Sequence, residues 1–218
     1  MAERPYDCIL FDLDGTLSDS VELILMAYRH TMRAHLGTEL PDERWIAGIG
    51  IPLEIQLSEF ARDEVEAQAM RETYAKFYIE HHDAHITMFP GAMEAVASLR
   101  KEGISIGMVT SKSRVGANRT LRLYNLESAF DAVITADDTD KGKPDPQPVF
   151  HALELLGHSP SKTAFVGDSP HDLHSGRGAG VTTVAVSWGP FPLETLQECR
   201  PDRWLDKPED IISLNRPA

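Results

Sequence analysis

The first apolar run of the chain predicts a buried β-strand. Cys8-Ile9-Leu10-Phe11 is continuously apolar and leads directly into Asp12-Leu13-Asp14-Gly15-Thr16. A short apolar run bounded by turn residues is typical of a strand that is covered on both faces. The glycine and the hydroxyl residue after it favour a turn. Because side chains two positions apart on a strand point to the same face, Asp12 and Asp14 are predicted to lie on one side of the sheet edge.

Residues 18–85 carry a helical pattern and no strand pattern. A first helix is predicted over residues 21–36, because apolar side chains recur there at helical spacing, at Val21, Leu25, Tyr28 and Met32. Ser18-Asp19-Ser20 offers side chains that could cap its start, and Gly37 ends it. Further helical segments are predicted from residue 41, over residues 53–60 and over residues 63–82. The block is therefore predicted to be a small bundle of about four helices.

From Met88 onward the pattern alternates between helices and short apolar strands. The strands are predicted over residues 104–109, 132–135, 163–167 and 183–186, with a helix of ten or so residues before each. Such alternation implies right-handed crossovers and a parallel sheet covered on both faces. The predicted fold class is therefore α/β, a doubly wound parallel sheet. Boundaries near Ser18 and Thr87 would divide the chain into a core of residues 1–17 and 86–218 and a helical unit of residues 18–85.

Composition and charge disfavour several classes of protein. At 218 residues the chain can form one large domain, or a core with a smaller unit inserted. Its 21 basic and 34 acidic side chains give a net charge of −13, which disfavours a nucleic-acid partner. Two cysteines suggest no disulfide framework, and the N-terminal residues suggest neither a signal peptide nor a membrane span. We therefore expect a soluble, cytoplasmic protein.

Polar side chains at the ends of the predicted strands form the candidate site. In chain order they are Asp12, Asp14, Thr110, Ser111, Lys143 within Gly142-Lys143-Pro144-Asp145-Pro146, Asp168 and Asp172. Each has an ordinary structural alternative, namely a surface turn, a helix cap or a solvated loop residue. Because ligands gather where the carboxyl ends of neighbouring parallel strands meet, we expect these side chains to converge.

Taken together and in this order, these segments resemble the four motifs of the haloacid dehalogenase-like hydrolases over nearly the whole chain. The resemblance implies a Rossmann-like core with an inserted helical-bundle cap. It implies that Asp12 is a nucleophile forming an aspartyl-phosphate and that Asp14 is the general acid and base, with Thr16 holding Asp14 in place.

The resemblance also implies a cofactor and a set of binding residues. Mg²⁺ prefers oxygen ligands, which Asp12, the Asp14 backbone carbonyl and Asp168 would supply, with Asp172 as a direct or water-mediated ligand. Lys143 would be a catalytic cation facing the phosphoryl oxygens. The residues implied to bind substrate are Gly15, Thr16, Thr110, Ser111 and Gly50. The implied partner is a small phosphorylated metabolite, and the protein would be a monomer or small homo-oligomer.

Several reactions remain open within the resemblance. Haloacid dehalogenases lack an aspartate at the position of Asp14, and phosphonoacetaldehyde hydrolases need a cap lysine, whereas no lysine precedes Lys76. These two readings are therefore disfavoured against phosphoryl transfer. A phosphoglycolate phosphatase-like hydrolase is the first expectation, and a pyrophosphatase, a β-phosphoglucomutase-like phosphotransferase and a non-catalytic binding protein are the alternatives.

Two features of the helical block carry further expectations. The loop Gly48-Ile49-Gly50-Ile51-Pro52-Leu53 is either a simple helix connection or a segment that reaches the substrate. The histidines His81, His82 and His85 resemble a metal cluster, but they have no strand-end setting and are expected to be an exposed helix end.

Overall fold

The computed structural model describes residues 4–216. In the first part of the chain, two strands precede four helices, and a short strand follows them. The elements are β1 (Cys8–Phe11), β2 (Ser18–Asp19), α1 (Val21–Leu36), α2 (Asp42–Ile46), α3 (Leu53–Ser58), α4 (Glu64–His85) and β3 (Thr87–Met88). Four helices between β2 and β3 confirm the predicted helical block.

Helices and strands alternate through the rest of the chain. The elements are α5 (Ala92–Lys101), β4 (Ser105–Val109), α6 (Arg114–Leu123), β5 (Ala132–Ile134), α7 (Gln147–Leu156), β6 (Thr163–Gly167), α8 (Pro170–Ala179), β7 (Thr182–Val186), α9 (Leu193–Glu198) and β8 (Arg203–Leu205). Two 3₁₀ helices, Pro160–Lys162 and Pro208–Asn215, complete this part. The pattern after Val186 was too short to predict α9 and β8.

Six of the strands form one parallel sheet in the order β5-β4-β1-β6-β7-β8. β1 therefore lies between β4 on one side and β6 on the other. All four β1 side chains are fully buried, with Ile9 and Phe11 in the apolar cluster on one face and Cys8 and Leu10 in the cluster on the other. A strand buried on both faces needs apolar residues at every position, which explains the continuous run in the sequence. The predicted α/β fold with a doubly wound sheet is confirmed.

The helical block has an apolar cluster of its own. It includes Leu23, Met32, Trp45, Leu57 and Met70, all of which are almost completely buried. A separate cluster supports the division into a core of residues 1–17 and 86–218 and a cap of residues 18–85, which remains our proposal. None of the helices in residues 4–216 combines the length and the hydropathy that crossing a membrane requires.

Two local predictions at the start of the block were wrong. β2 and β3 form a two-residue antiparallel pair, Ser18 with Met88 and Asp19 with Thr87, where no strand was expected. Two residues are too few to produce a periodic pattern. The pair forms where the chain leaves the core after β1 and returns to it before α5. Ser20 occupies the N-cap position of α1 but its hydroxyl makes no capping hydrogen bond and donates to Asp14 Oδ1 instead.

A stability test follows from the burial of β6. Phe165 is 1 % exposed in the cluster under α7 and α8, so Phe165→Ala should lower the free energy of unfolding by about 3–5 kcal/mol. Phe150→Ala is the matched control, because Phe150 on α7 is 48 % exposed and its loss should cost only about 0.5 kcal/mol. Urea unfolding followed by circular dichroism measures both, and equal losses would contradict the assigned core.

Candidate active site

The register of the sheet brings the chemistry-bearing side chains to one edge. Phe11 of β1 is paired with Met108 on β4 and with Val166 on β6. Residues that follow these three positions therefore leave the sheet at the same level, and the amide of Asp12 donates to the Val166 carbonyl at 2.9 Å. Because neighbouring strands run in parallel, their carboxyl ends supply one site from three separate segments of sequence.

Three carboxylates meet below this edge and could hold a cation. Asp12, Asp168 and Asp172 are buried, and one oxygen from each lies within 4.8 Å of the others. Asp168 Oδ2 is buried without a hydrogen-bond partner among the described residues. An oxygen-only donor set with an unsatisfied buried oxygen fits a hard divalent ion such as Mg²⁺, because the ion would supply the missing interaction. This is the only such group found within residues 4–216.

Lys143 supplies a positive charge between two of these carboxylates. Its Nζ donates to Asp172 Oδ1 at 2.6 Å and to the Val109 carbonyl at 3.2 Å, and it lies 2.9 Å from Asp12 Oδ1. The lysine is buried, which favours the neutral amine, but the charges of Asp12 and Asp172 outweigh burial and raise its pKa. Lys143 is therefore a permanent cation that lets buried carboxylates lie side by side.

The pKa values of these carboxylates shift in different directions. Burial, opposed by Lys143, raises the pKa of Asp12 to about 7. Burial and then the charges of Asp172 and Asp12 raise the pKa of Asp168 well above its ordinary value. Burial would also raise the pKa of Asp14, but the charge and hydrogen bonds of Lys112 outweigh burial and hold that pKa below its usual range. Asp12 and Asp14, two positions apart in the sequence, thus occupy opposite electrostatic settings.

Asp14 is held by Lys112, which the sequence analysis did not identify. Lys112 Nζ donates to both Asp14 oxygens, at 2.6 and 2.7 Å, and to the Tyr78 hydroxyl on α4 at 2.6 Å. Lys112 follows Thr110 and Ser111 directly, so the polar run after β4 was a signal that could have found it. The run alone does not show which of its side chains turns toward Asp14.

Thr16 has a different hydrogen-bond partner from the one expected. Its hydroxyl donates to Asp168 Oδ1 at 2.7 Å, and so the expectation that Thr16 holds Asp14 was wrong. Gly15 lies against the same carboxylate, since a Cβ on Gly15 would come within 2.5 Å of Asp168 Oδ2. With φ at +87°, Gly15 also adopts a backbone conformation that other residues rarely reach. The Gly15-Thr16 turn therefore shapes the surroundings of Asp168.

Asp172 is fixed by the first turn of α8. Its Oδ2 accepts hydrogen bonds from the Ser169 amide and the Ser169 hydroxyl, at 3.1 and 2.6 Å, while its Oδ1 accepts from Lys143. Ser169 and Asp172 form a reciprocal capping box, in which Ser169, and not Asp168, is the N-cap. Asp172 thus serves as a helix cap and as the partner of Lys143 at the same time.

A cavity of about 320 Å³ lies between the sheet edge and the helical block. Asp12, Asp14, Thr110 and Ser111 line it from the sheet side, and Gly50 from the helical side. Lys143, Asp168 and Asp172 are buried outside this lining. The cavity therefore opens on the two aspartates that the sequence analysis assigned to the chemistry.

The Gly48–Leu53 loop reaches the sheet edge. The Ser111 hydroxyl donates to the Gly50 carbonyl at 2.6 Å. A Cβ on Gly50 would come within 3.2 Å of the Ser169 hydroxyl and 3.1 Å of the His171 ring, so no larger residue fits without movement. The loop is therefore packed against the site, which goes beyond a simple connection between helices.

The expectation of an exposed histidine cluster was wrong for His82. Its side chain is fully buried, and its Nε2 is hydrogen-bonded to the Thr120 hydroxyl at 2.9 Å. Burial outweighs the neighbouring Asp83 and lowers the pKa of His82. Among the described residues the three histidines form no metal-binding group. The burial of His82 arises from the packing of α4 against α6, which brings together two residues 38 positions apart in the chain.

Comparisons with known proteins agree with this geometry. A family profile described as haloacid dehalogenase-like hydrolase matches residues 9–186. A protein of Caldanaerobacter subterraneus subsp. tengcongensis, provisionally named pyrophosphatase PpaX, is 40 % identical over 94 % of this chain and 93 % of its own length.

Two solved structures extend the comparison. A Bacteroides fragilis structure provisionally described as a haloacid dehalogenase-like hydrolase has a TM-score of 0.88 at 29 % identity, covering 95 % of this chain and 100 % of its own. A Lactobacillus plantarum structure provisionally described as a phosphoglycolate phosphatase has a TM-score of 0.85 at 28 % identity, covering 96 % of this chain and 99 % of its own.

The raised pKa of Asp12 predicts that cation binding weakens in acid. A proton and a metal ion compete for the same oxygen, so with a pKa of about 7 the Mg²⁺ affinity should fall about tenfold between pH 8 and pH 6. Calorimetric titration of the metal-free protein at the two pH values measures this change. The same titration on Asp19→Asn, which alters an exposed carboxylate on β2, should give the parent's result. Equal affinities at both pH values would contradict the assignment.

Proposed function

This chain belongs to the haloacid dehalogenase-like hydrolases and is an enzyme of the phosphatase class, and we propose that it hydrolyses a small phosphorylated metabolite with the help of Mg²⁺. The observation that carries the proposal is the group of buried carboxylates, Asp12, Asp168 and Asp172, with Lys143 between two of them and a cavity opening on Asp12. A buried acidic group of this kind costs folding free energy unless a cation compensates it. The position of this acidic group beside the cavity supports a catalytic role for it.

Asp12 is the proposed nucleophile. Its carboxylate would attack phosphorus and form an aspartyl-phosphate while the bond to the leaving oxygen breaks. Lys143 keeps the ionised form accessible and would help to stabilise negative charge on the phosphoryl oxygens. Thr110 and the Ser111 amide, at the end of β4, are the proposed donors to those oxygens.

Asp14 is the proposed general acid and base. It would give a proton to the leaving oxygen and later take one from the water that hydrolyses the aspartyl-phosphate. Ser20 and Lys112 orient the carboxylate, with the Ser20 hydroxyl 2.5 Å from Oδ1. Lys112 favours the ionised form, so Asp14 begins in the state of a base. The approach of a substrate phosphate must favour the protonated form of Asp14 before Asp14 can act as an acid.

The proposed Mg²⁺ ligands are Asp12, Asp168 and the Asp14 backbone carbonyl. Asp172 is already committed to Ser169 and Lys143, so we assign it a position beside the ion, with direct or water-mediated contact. When bound, the ion would neutralise the phosphoryl group and orient it toward Asp12. Gly15 and Thr16 shape this end of the site through Asp168, and a substrate contact for them remains a proposal.

Phosphoglycolate and pyrophosphate are the two candidate substrates that the comparisons favour. The name of the 40 % identical relative supports pyrophosphate, and the description of the Lactobacillus plantarum structure supports phosphoglycolate. Both reactions would use the same residues around Asp12 and differ only in the leaving group. The choice between leaving groups therefore depends on the half of the cavity that faces the helical block.

The nucleophile is tested by Asp12→Asn. This change removes the attacking charge and nearly preserves the shape, so phosphate release should fall by about 10³-fold or more while the fold persists. Release of phosphate with Mg²⁺ and a circular dichroism spectrum measure the two effects. The matched control is Asp19→Asn on the exposed position of β2, which should retain the parent's activity. A fully active Asp12→Asn variant would refute the mechanism.

The acid role is tested by Asp14→Asn and the choice of leaving group. A poor leaving group such as an alkoxide needs a proton, whereas 4-nitrophenolate leaves readily without one. The ratio of kcat/KM for 4-nitrophenyl phosphate to that for an alkyl phosphate should therefore rise by about tenfold or more in the variant. Losses of the same size on both substrates would exclude Asp14 as the acid.

A further inference from the structure

We propose that the leaving group of the substrate is an apolar alcohol, either a single aromatic ring or a short branched chain, and not a second phosphate or a carboxylate. This inference rests on the proposed function, because it concerns the part of the substrate that departs from phosphorus. It depends on the side of the cavity that faces the helical block, where no catalytic residue is assigned.

The helical side of the cavity is formed mainly by aromatic and aliphatic side chains, with Gln56 and His82 as its polar members. We call it the apolar wall and define it by six of the lining residues, Ile24, Tyr28, Ile49, Ile51, Tyr74 and Tyr78. The aromatic rings form a continuous surface, since Tyr28 and Tyr74 are 5.0 Å apart between centroids and Tyr74 and Tyr78 are 5.9 Å apart. Trp45 stacks behind Tyr28 at 4.1 Å. Rings packed against one another in this way, two pairs stacked and the Tyr28–Tyr74 pair tilted, provide a stiff contact surface for another ring.

The cations beside the cavity are already paired. Lys112 contacts both oxygens of Asp14. Arg119, at the edge of the cavity, forms two hydrogen bonds with Asp83, at 2.9 and 3.0 Å. Among the residues that line the cavity in the described part of the chain, these are the only lysine and arginine. A second anionic group on the substrate would have to break one of these pairs.

The apolar wall offers no charge to a second anion, because its six side chains are isoleucines and tyrosines. An anionic leaving group against the apolar wall would lose its hydration without gaining a cationic partner, which is unfavourable. An apolar group gains about fourfold in affinity for each methylene that it buries.

The size of the cavity limits the leaving group as well. At about 320 Å³ it lies at the small end of ligand sites, which span about 300–1,000 Å³. The phosphoryl group must occupy the end beside Asp12, so the remainder suits one ring or a few carbon atoms.

The test compares esters of two primary alcohols that differ only in the group attached to the carbinol carbon. With Mg²⁺, kcat/KM for benzyl phosphate should exceed kcat/KM for phosphoglycolate, and also for pyrophosphate, by about tenfold or more, the discrimination expected of a hydrophobic pocket. Benzylphosphonate should likewise inhibit more strongly than phosphonoacetate. Higher kcat/KM for phosphoglycolate or pyrophosphate would overturn the inference and leave the phosphohydrolase proposal standing. If the protein released phosphate from none of the three substrates, the proposed function would be refuted, and the inference with it.

A positive charge introduced at the rim should weaken the preference for an apolar leaving group. Ile79 lines the cavity and is 41 % exposed, so Ile79→Lys places an unpaired ammonium group there without opening the core. The ratio of kcat/KM for phosphoglycolate to that for benzyl phosphate should rise about tenfold. The matched control is Ile55→Lys, because Ile55 is 54 % exposed and lies outside this cavity; the ratio should stay at the parent's value. An unchanged ratio in a folded Ile79→Lys variant would contradict the assignment of the apolar wall as the leaving-group site.

Discussion

The buried contact between Lys143 and two aspartates is the interaction on which the rest of the site depends. Asp12 could not remain ionised beside Asp172 in a buried setting without this cation, because burial and the neighbouring Asp172 both raise the pKa of Asp12. Lys143 in turn is charged only because the two carboxylates outweigh its own burial. Removing any one of the three would leave an uncompensated charge, which is far more costly than losing a surface ion pair. The unsatisfied oxygen of Asp168 is the reason that a divalent ion fits beside this network.

The fold supports this network by bringing together segments that are distant in sequence. β1, β4 and β6 end at one level, so the residues after them meet without any long loop. Close approach then requires small residues: a Cβ on Gly189 would lie 2.3 Å from the Asp168 Cβ, and Gly15 is equally restricted. The Trp188 indole donates to the Thr16 carbonyl at 3.0 Å and ties the turn after β1 to the end of β7. The geometry of the acidic group is thus a property of the whole sheet edge.

Two of the polar contacts between the helical block and this edge run from Lys112 to Tyr78 and from Ser111 to Gly50. Both start in the polar run after β4 and both end beside the cavity. The same segment that is proposed to bind the phosphoryl group therefore also positions the surface proposed to contact the leaving group. A movement of the helical block would alter the setting of Asp14 directly, because Lys112 is shared between Asp14 and Tyr78. This arrangement couples Asp14, the proposed general acid, to the helical block.

The sequence by itself determined the class of fold and most of the candidate site, because these depend on short-range patterns. Continuous apolar strands such as Cys8–Phe11 must be covered on both faces, and acidic residues directly after them must lie at the sheet edge. The tertiary structure decided the partners. Thr16 bonds to Asp168, which is 152 residues away, Lys112 bonds to Asp14, which is 98 residues away, and His82 is buried against Thr120. Local periodicity carries no information about which of several polar residues turns toward another across such distances. The apolar wall likewise consists of residues whose spacing predicts only a helix core, and their exposure to a cavity depends on how the helical block lies over the sheet.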